Sequence, residues 1–254
     1  MNGGPAPVVA HLVLASASPA RRDILRRAGI DPIVVVSNVD EESVAAAALV
    51  ARNRLPSTEE ALLLARTKCE EVASRSLSGA AAADLDLVLV LVLGCDSVFE
   101  LDGVSYGKPR SSEVAIARWR LMSGRVGVLH TGHWLIALPR EARDGASRVR
   151  GYGAHGQRLA TGGVVSTRVR FAPVTEDEIA AYVATGEPLH CAGGFTIDGI
   201  GAAFVEGVDG DPSNVIGLSL HFLRSLLREV DVPWTALRSA SHRGADHPGG
   251  RDAH

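Results

Sequence analysis

The chain has 254 residues, 46% of them hydrophobic, with a net charge of −3 and 4% aromatic content. That length can bury a sizeable core in one large domain or two lobes. The slightly acidic balance and the scarcity of rings argue against a general nucleic-acid binder.

The opening "MNGGPAPVVAHLVLAS" has no basic segment before its short apolar run, so it does not read as a signal peptide. Residues 1–10 are expected to be flexible. The stretch "HLVLASASPARRDILRRAGI" reads as a strand turning into a helix, with Ser18 as N-cap, Pro19 at the first helical position and Gly29 as the stop. Ile24, Leu25 and Ala28 mark its apolar face. Arg21 and Arg22 then fall in the first turn, where the helix dipole disfavours cations by a few tenths to about 1 kcal/mol. An anion docked among the exposed backbone donors would account for them, with little role for either in stability; a plain solvated helix start is the alternative.

A helix is expected through "STEEALLLARTKCEEVASR", starting at Ser57 with Glu60 in capping-box position, followed by the linker "SLSGAAAAD". "LDLVLVLVLG", ending at Gly94, is too short to span a bilayer and reads as a strand buried on both faces. "SSEVAIARWRLMSG" is predicted helical, "VLHTGHWLIAL" and "VVSTRVRFAPV" extended, and "PREARDGASRVRGYGAHGQ" between them a long polar loop. "TEDEIAAYVATGEP" gives a helix with a Thr175–Glu178 capping box. A hairpin around Asp198–Gly199, a last helix through "IGLSLHFLRSLLREV" and a disordered tail over residues 238–254 complete the α/β pattern.

Asp96 follows the buried strand, near the carboxyl ends where open α/β sheets bind ligands. It suits a metal ligand, a general base or a turn cap. Glu41, in "SNVDEESV", reads as part of a solvated acidic loop. Lysine usage carries more information: against 24 arginines there are only Lys68 and Lys108, at places where a slender ammonium would suit a phosphate oxygen better than a guanidinium fork. No GxxxxGK[ST], GxSxG or HExxH motif is present. His130, His133 and His190 read as structural or surface residues. Cys69, Cys95 and Cys191 form no CxxC pair and fit a reducing cytoplasm.

In order and spacing, "LASASPARR", "VDEE", "LARTK", "GCDSV", "GKP", "MSGRVGVLHTG" and "GEPLHCAGGFTIDGIGAAFVEGVDGDPSNVIGLSL" resemble the Maf family of nucleoside triphosphate pyrophosphatases. The resemblance implies a domain over residues 11–237 with a twisted mixed sheet flanked by helices and a ligand cleft between two lobes, similar to inosine triphosphate pyrophosphatases. It implies a cytoplasmic, often dimeric enzyme that uses Mg²⁺ or Mn²⁺ to hydrolyse a nucleoside triphosphate to the monophosphate and pyrophosphate. The family's phosphate-binding serine and arginine motif falls on Ser16, Ser18, Arg21 and Arg22, its lysines on Lys68 and Lys108, and its proton-accepting aspartate on Asp96. Glu41 and Asp96 are the implied metal ligands. The chain departs from the family pattern at His190 and Cys191, where Asp-Lys is usual, and at the substrate-facing Asp198, where Gln is usual. Alternatives from the same resemblance are a noncanonical purine triphosphate pyrophosphatase and a weakly catalytic, nucleotide-binding regulator of septum formation.

Overall fold

The computed structural model describes residues 10–52, 55–78, 89–139 and 159–237. Residues 1–9, the predicted tail, nearly all of the predicted polar loop and much of the alanine-rich linker lie outside that set. In chain order the elements are β1 (Ala10–Leu14), α1 (Pro19–Arg27), β2 (Ile33–Val34), α2 (Glu41–Arg52), α3 (Ser57–Ser78), β3 (Leu89–Leu101), β4 (Val104–Tyr106) and α4 (Ser112–Met122). They continue with β5 (Val126–Pro139), β6 (Leu159–Phe171), α5 (Glu176–Ala184), β7 (Val205–Asp209), α6 (Pro212–Ile216) and α7 (Leu220–Glu229).

The sheet has seven strands in the order β2-β1-β3-β5-β6-β7, with β4 pairing onto β3. β1 runs parallel to β2 and β3, and the remaining pairs are antiparallel, so the sheet is mixed. Strand β3 organises it. Leu89, Leu91, Leu93 and Cys95 point into a cluster with α1 and α7, while Val90 and Val92 face Cys69, Val72 and Ala73 of α3. Further along, Phe99 and Leu101 enter a second lobe's core with Trp119, Phe171 and Tyr182. There Phe99 meets Phe171 edge-on at 5.8 Å, and Phe171 meets Phe195 at 4.9 Å, contacts worth about 0.5–1.5 kcal/mol each beyond area burial.

Local signals explain most boundaries. Ser18 accepts a hydrogen bond from the Arg21 backbone N–H to cap α1, and Thr175 and Glu178 form the capping box of α5. Four readings need correction. The acidic stretch at Glu41 is the first turn of α2, capped by Asp40, which accepts from the Ser43 N–H at 3.2 Å. Ser57 does not cap α3: the Pro56 carbonyl accepts from Glu60 N–H at 2.9 Å, and the Ser57 hydroxyl pairs instead with Ser105 at 2.7 Å. Asp198–Gly199 is no hairpin but lies between short 3₁₀ turns at Ala192–Gly194 and Ile200–Phe204. The last helix starts later than expected, at Leu220: Ile216 closes α6, Gly217 adopts φ 122°, and Ser219 caps a fresh start for α7.

Candidate active site

The site is set by a gap in strand pairing. The β1–β3 ladder ends at Leu14 and Leu93, and β4 joins the same strand only from Phe99 onward. Residues 94–98 of β3 therefore have no strand neighbour on that side among the described residues, and a cleft of about 1140 Å³ opens there. This is slightly more than the roughly 300–1,000 Å³ usual for small-ligand sites. Asp96 lies inside β3 rather than beyond its end, as the sequence had suggested.

Helix α3 rests directly on the sheet at two glycines. A Cβ on Gly94 would sit 2.2 Å from the Ala65 carbonyl oxygen, and one on Gly132 would sit 2.2 Å from that of Ala61. Gly132 is the cross-strand partner of Asp96. This close approach lets Lys68, on α3, place its Nζ 2.5 Å from Asp96 Oδ1 and 2.6 Å from Glu41 Oε1 at the start of α2. Lys68 and Asp96 are buried; Glu41 is half exposed to the cleft.

Burial raises the Asp96 carboxyl above its ordinary value, against the charges of Lys68 and Arg21 and with the help of Glu41. For Glu41 burial also acts upward, but the Lys68 hydrogen bond and charge, together with Lys108 and Arg21, hold it below the ordinary value. The two neighbouring carboxyls thus shift in opposite directions, Glu41 downward and Asp96 upward. Glu60, which sequence reasoning treated as a cap, also lines the cleft and is raised by burial and by the Asp96 charge, despite a hydrogen bond with Ser105. Its position about two turns before Lys68 on α3 was the available signal.

Arg21 is buried and fills the gap at the strand edge. Its guanidinium makes four hydrogen bonds: Nε to the Gly217 carbonyl at 2.8 Å, Nη1 to the Cys95 carbonyl at 2.8 Å and Ser16 Oγ at 3.1 Å, and Nη2 to Ser97 Oγ at 3.0 Å. The side chain read as free for an anion is mostly bonded to protein, and it contributes its charge from a fixed position. Ser16, Ser18 and the α1 N-terminus line the cleft beside it. Arg22 does not line it; its Nε bonds Asp23 at 2.9 Å.

Lys108 enters from the opposite lobe, exposed and without hydrogen bond or ion pair among the described residues. His190, Cys191 and Thr196 line the same wall. Asp198 accepts from the Thr196 hydroxyl at the rim and does not itself line the cleft. Burial raises the Cys191 thiol to about 11, so it is no nucleophile at neutral pH. His133 is buried in β5, where Nδ1 donates to the Thr131 carbonyl at 3.0 Å and Nε2 accepts from Ser219 N–H at 2.9 Å, a structural role.

Among the described residues no cluster of three or more His, Cys, Asp or Glu forms a metal cage. The donor set is instead Glu41 and Asp96, with Lys68 bonded to one oxygen of each. Their second oxygens have no protein hydrogen bond among the described residues. That chemistry fits Mg²⁺ or Mn²⁺ carried in by phosphate oxygens, a mode in which one or two carboxylates suffice.

Comparison with known proteins shows the family. The model of the Maf-like protein family matches residues 11–230. A nucleoside triphosphate pyrophosphatase of Salinispora tropica is 48% identical over 239 residues, 94% of this chain and 92% of its own. Proteins of the same name from Thermosynechococcus vestitus and Leifsonia xyli are 50% and 45% identical, covering 85% and 89% of this chain and 91% and 96% of theirs. Since the match takes in both lobes and every side chain that meets in the cleft, the chain belongs to the Maf family.

Proposed function

We propose that the protein hydrolyses a nucleoside triphosphate to the monophosphate and pyrophosphate by directing water at the α phosphate. The observation that carries this reading is the Glu41–Lys68–Asp96 cluster facing Lys108 and the α1 N-terminus across one cleft. Relatives of the same name support it.

Positive charge from Arg21, Lys68 and Lys108 opposes the charge that develops on the phosphates as the bridging bond breaks. Backbone donors at the start of α1, with Ser16 and Ser18, hold phosphate oxygens. Asp96, with its raised affinity for a proton, accepts the proton from the attacking water, and Lys68 fixes the carboxylate's orientation. Mg²⁺ or Mn²⁺, which Glu41 and Asp96 would hold, supplies further neutralisation of the triphosphate. The same reading places the enzyme in the cytoplasm as a homodimer; Cys69, Cys95 and Cys191 are all free thiols, in keeping with a reducing compartment. No described helix is long and apolar enough to cross a membrane.

Asp96→Asn tests the assignment. It keeps the shape but loses the base, so turnover should fall at least 100-fold while nucleotide binding stays within a few-fold of wild type. Turnover at the normal rate in this variant would refute the role given to Asp96.

A further inference from the structure

Arg118, on α4, is buried beneath the Lys108 loop and is not used by the proposed chemistry. Its Nη1 donates to the Gly107 carbonyl, its Nε is buried with no hydrogen-bond partner among the described residues, and its guanidinium carbon lies 5.0 Å from the Tyr106 ring centroid. Its electrostatic neighbour is Tyr106, and among the described residues no carboxylate pairs with it. A buried cation without a counter-ion is costly, and one that grips a single carbonyl beside a cleft lysine suggests that the position of that carbonyl matters.

The Gly107 carbonyl is gripped twice, because Gly193 N–H also donates to it at 3.2 Å. Gly193 must be glycine: at φ 76° a Cβ would meet Phe99 at 2.7 Å. The residue after Arg118, Trp119, donates from Nε1 to the Gly194 carbonyl at 2.8 Å. Adjacent residues of α4 therefore fasten two cleft-lining loops, and those loops are fastened to each other at the peptide that leads into Lys108.

We propose that Arg118 is a positioning residue that sets Lys108 toward the phosphate subsite by fixing the Gly107–Lys108 peptide. The proposal rests on reading Lys108 as a phosphate-binding group. Its effect is carried through Lys108, so removing either side chain removes the same interaction.

A double-mutant cycle with inorganic tripolyphosphate as the probe tests this, because binding is measured without turnover. Calorimetry on wild type, Arg118→Met, Lys108→Met and the double variant should give about 10-fold weaker binding in each single variant, and no more than a 2–3-fold further loss in the double. Arg118→Lys, which keeps a cation and one donor to the Gly107 carbonyl, should recover part of the affinity. It also replaces Arg118→Met in the cycle should the latter not fold. Losses that multiply in the double variant, or normal affinity in the Arg118 variants, overturn the inference alone. Normal affinity in Lys108→Met overturns the reading of the phosphate subsite and this inference with it.

Discussion

Lys68 and Asp96 meet at 2.5 Å because α3 lies on bare backbone at Gly94 and Gly132. The ion pair that organises the cleft is thus a consequence of two missing side chains on the sheet below it. Lys68 also holds Glu41 at 2.6 Å, so one ammonium ties α2, α3 and β3 together.

Gly94→Ala should therefore damage both stability and activity. The added methyl meets backbone rather than a yielding side chain, and overpacking of this kind costs about 1–3 kcal/mol or more. Thermal melting and turnover measured on the same preparation check it. A native-like melting temperature with normal turnover would show that α3 does not need this close approach.

The two lysines should differ in their tolerance of arginine. Lys68 is confined between two carboxylates in a buried pocket, and Lys68→Arg should cut turnover by roughly 30- to 1000-fold, the loss of about 2–4 kcal/mol of transition-state stabilisation. Lys108 is exposed, and Lys108→Arg should stay within about 10-fold of wild type. Steady-state kinetics on the pair decides; equal sensitivity would mean that confinement is not what selects lysine at Lys68.

Arg21→Ala should unfold the protein more easily, not merely weaken substrate binding. It leaves the Gly217 and Cys95 carbonyls without their donor inside the fold, at a cost of about 3 kcal/mol or more. Urea titration measures this. Unchanged stability would mean that the guanidinium contributes only charge to the cleft.

Acid should destabilise the fold through His133. Burial lowers its pKa to about 4, with the Arg21 charge adding to the effect and the Thr131 hydrogen bond and Asp211 opposing it. Between about pH 6.5 and pH 4 the unfolded chain binds the proton and the native state does not, so this contribution to stability falls with pH, by about 3 kcal/mol in all. His133→Gln, which can still accept from Ser219 N–H, should flatten that slope in denaturant titrations across the window. An unchanged slope would assign the acid sensitivity to the carboxylates.

How far the sequence reveals this site varies with the physics involved. Ser18, Pro19 and the apolar face of α1 obey local rules, as does the α5 capping box, and all are readable from a few residues. Lysine scarcity singled out Lys68, but as a partner for phosphate; its contact with Asp96 spans 28 positions, and the cause, glycines facing a helix, is visible only once the strands are paired. The burial of Arg21 depends on the ends of β1 and β4 leaving a gap in the sheet, a tertiary fact that helix-dipole reasoning cannot contain. The helix α2 was missed: Asp40 and the alanine run after Glu41 were available signals, but an acidic first turn resembles a solvated loop until its contact with Lys68 is known.

The most direct test is the identity of the products when a panel of nucleoside triphosphates, canonical and noncanonical, is incubated with the protein and Mg²⁺ or Mn²⁺. Phosphorus NMR distinguishes the two possible cleavages. Cleavage at the α phosphate gives equal amounts of nucleoside monophosphate and pyrophosphate, with no diphosphate intermediate. Release of orthophosphate with nucleoside diphosphate, or nucleotide binding with no pyrophosphate formed from any member of the panel, would contradict it.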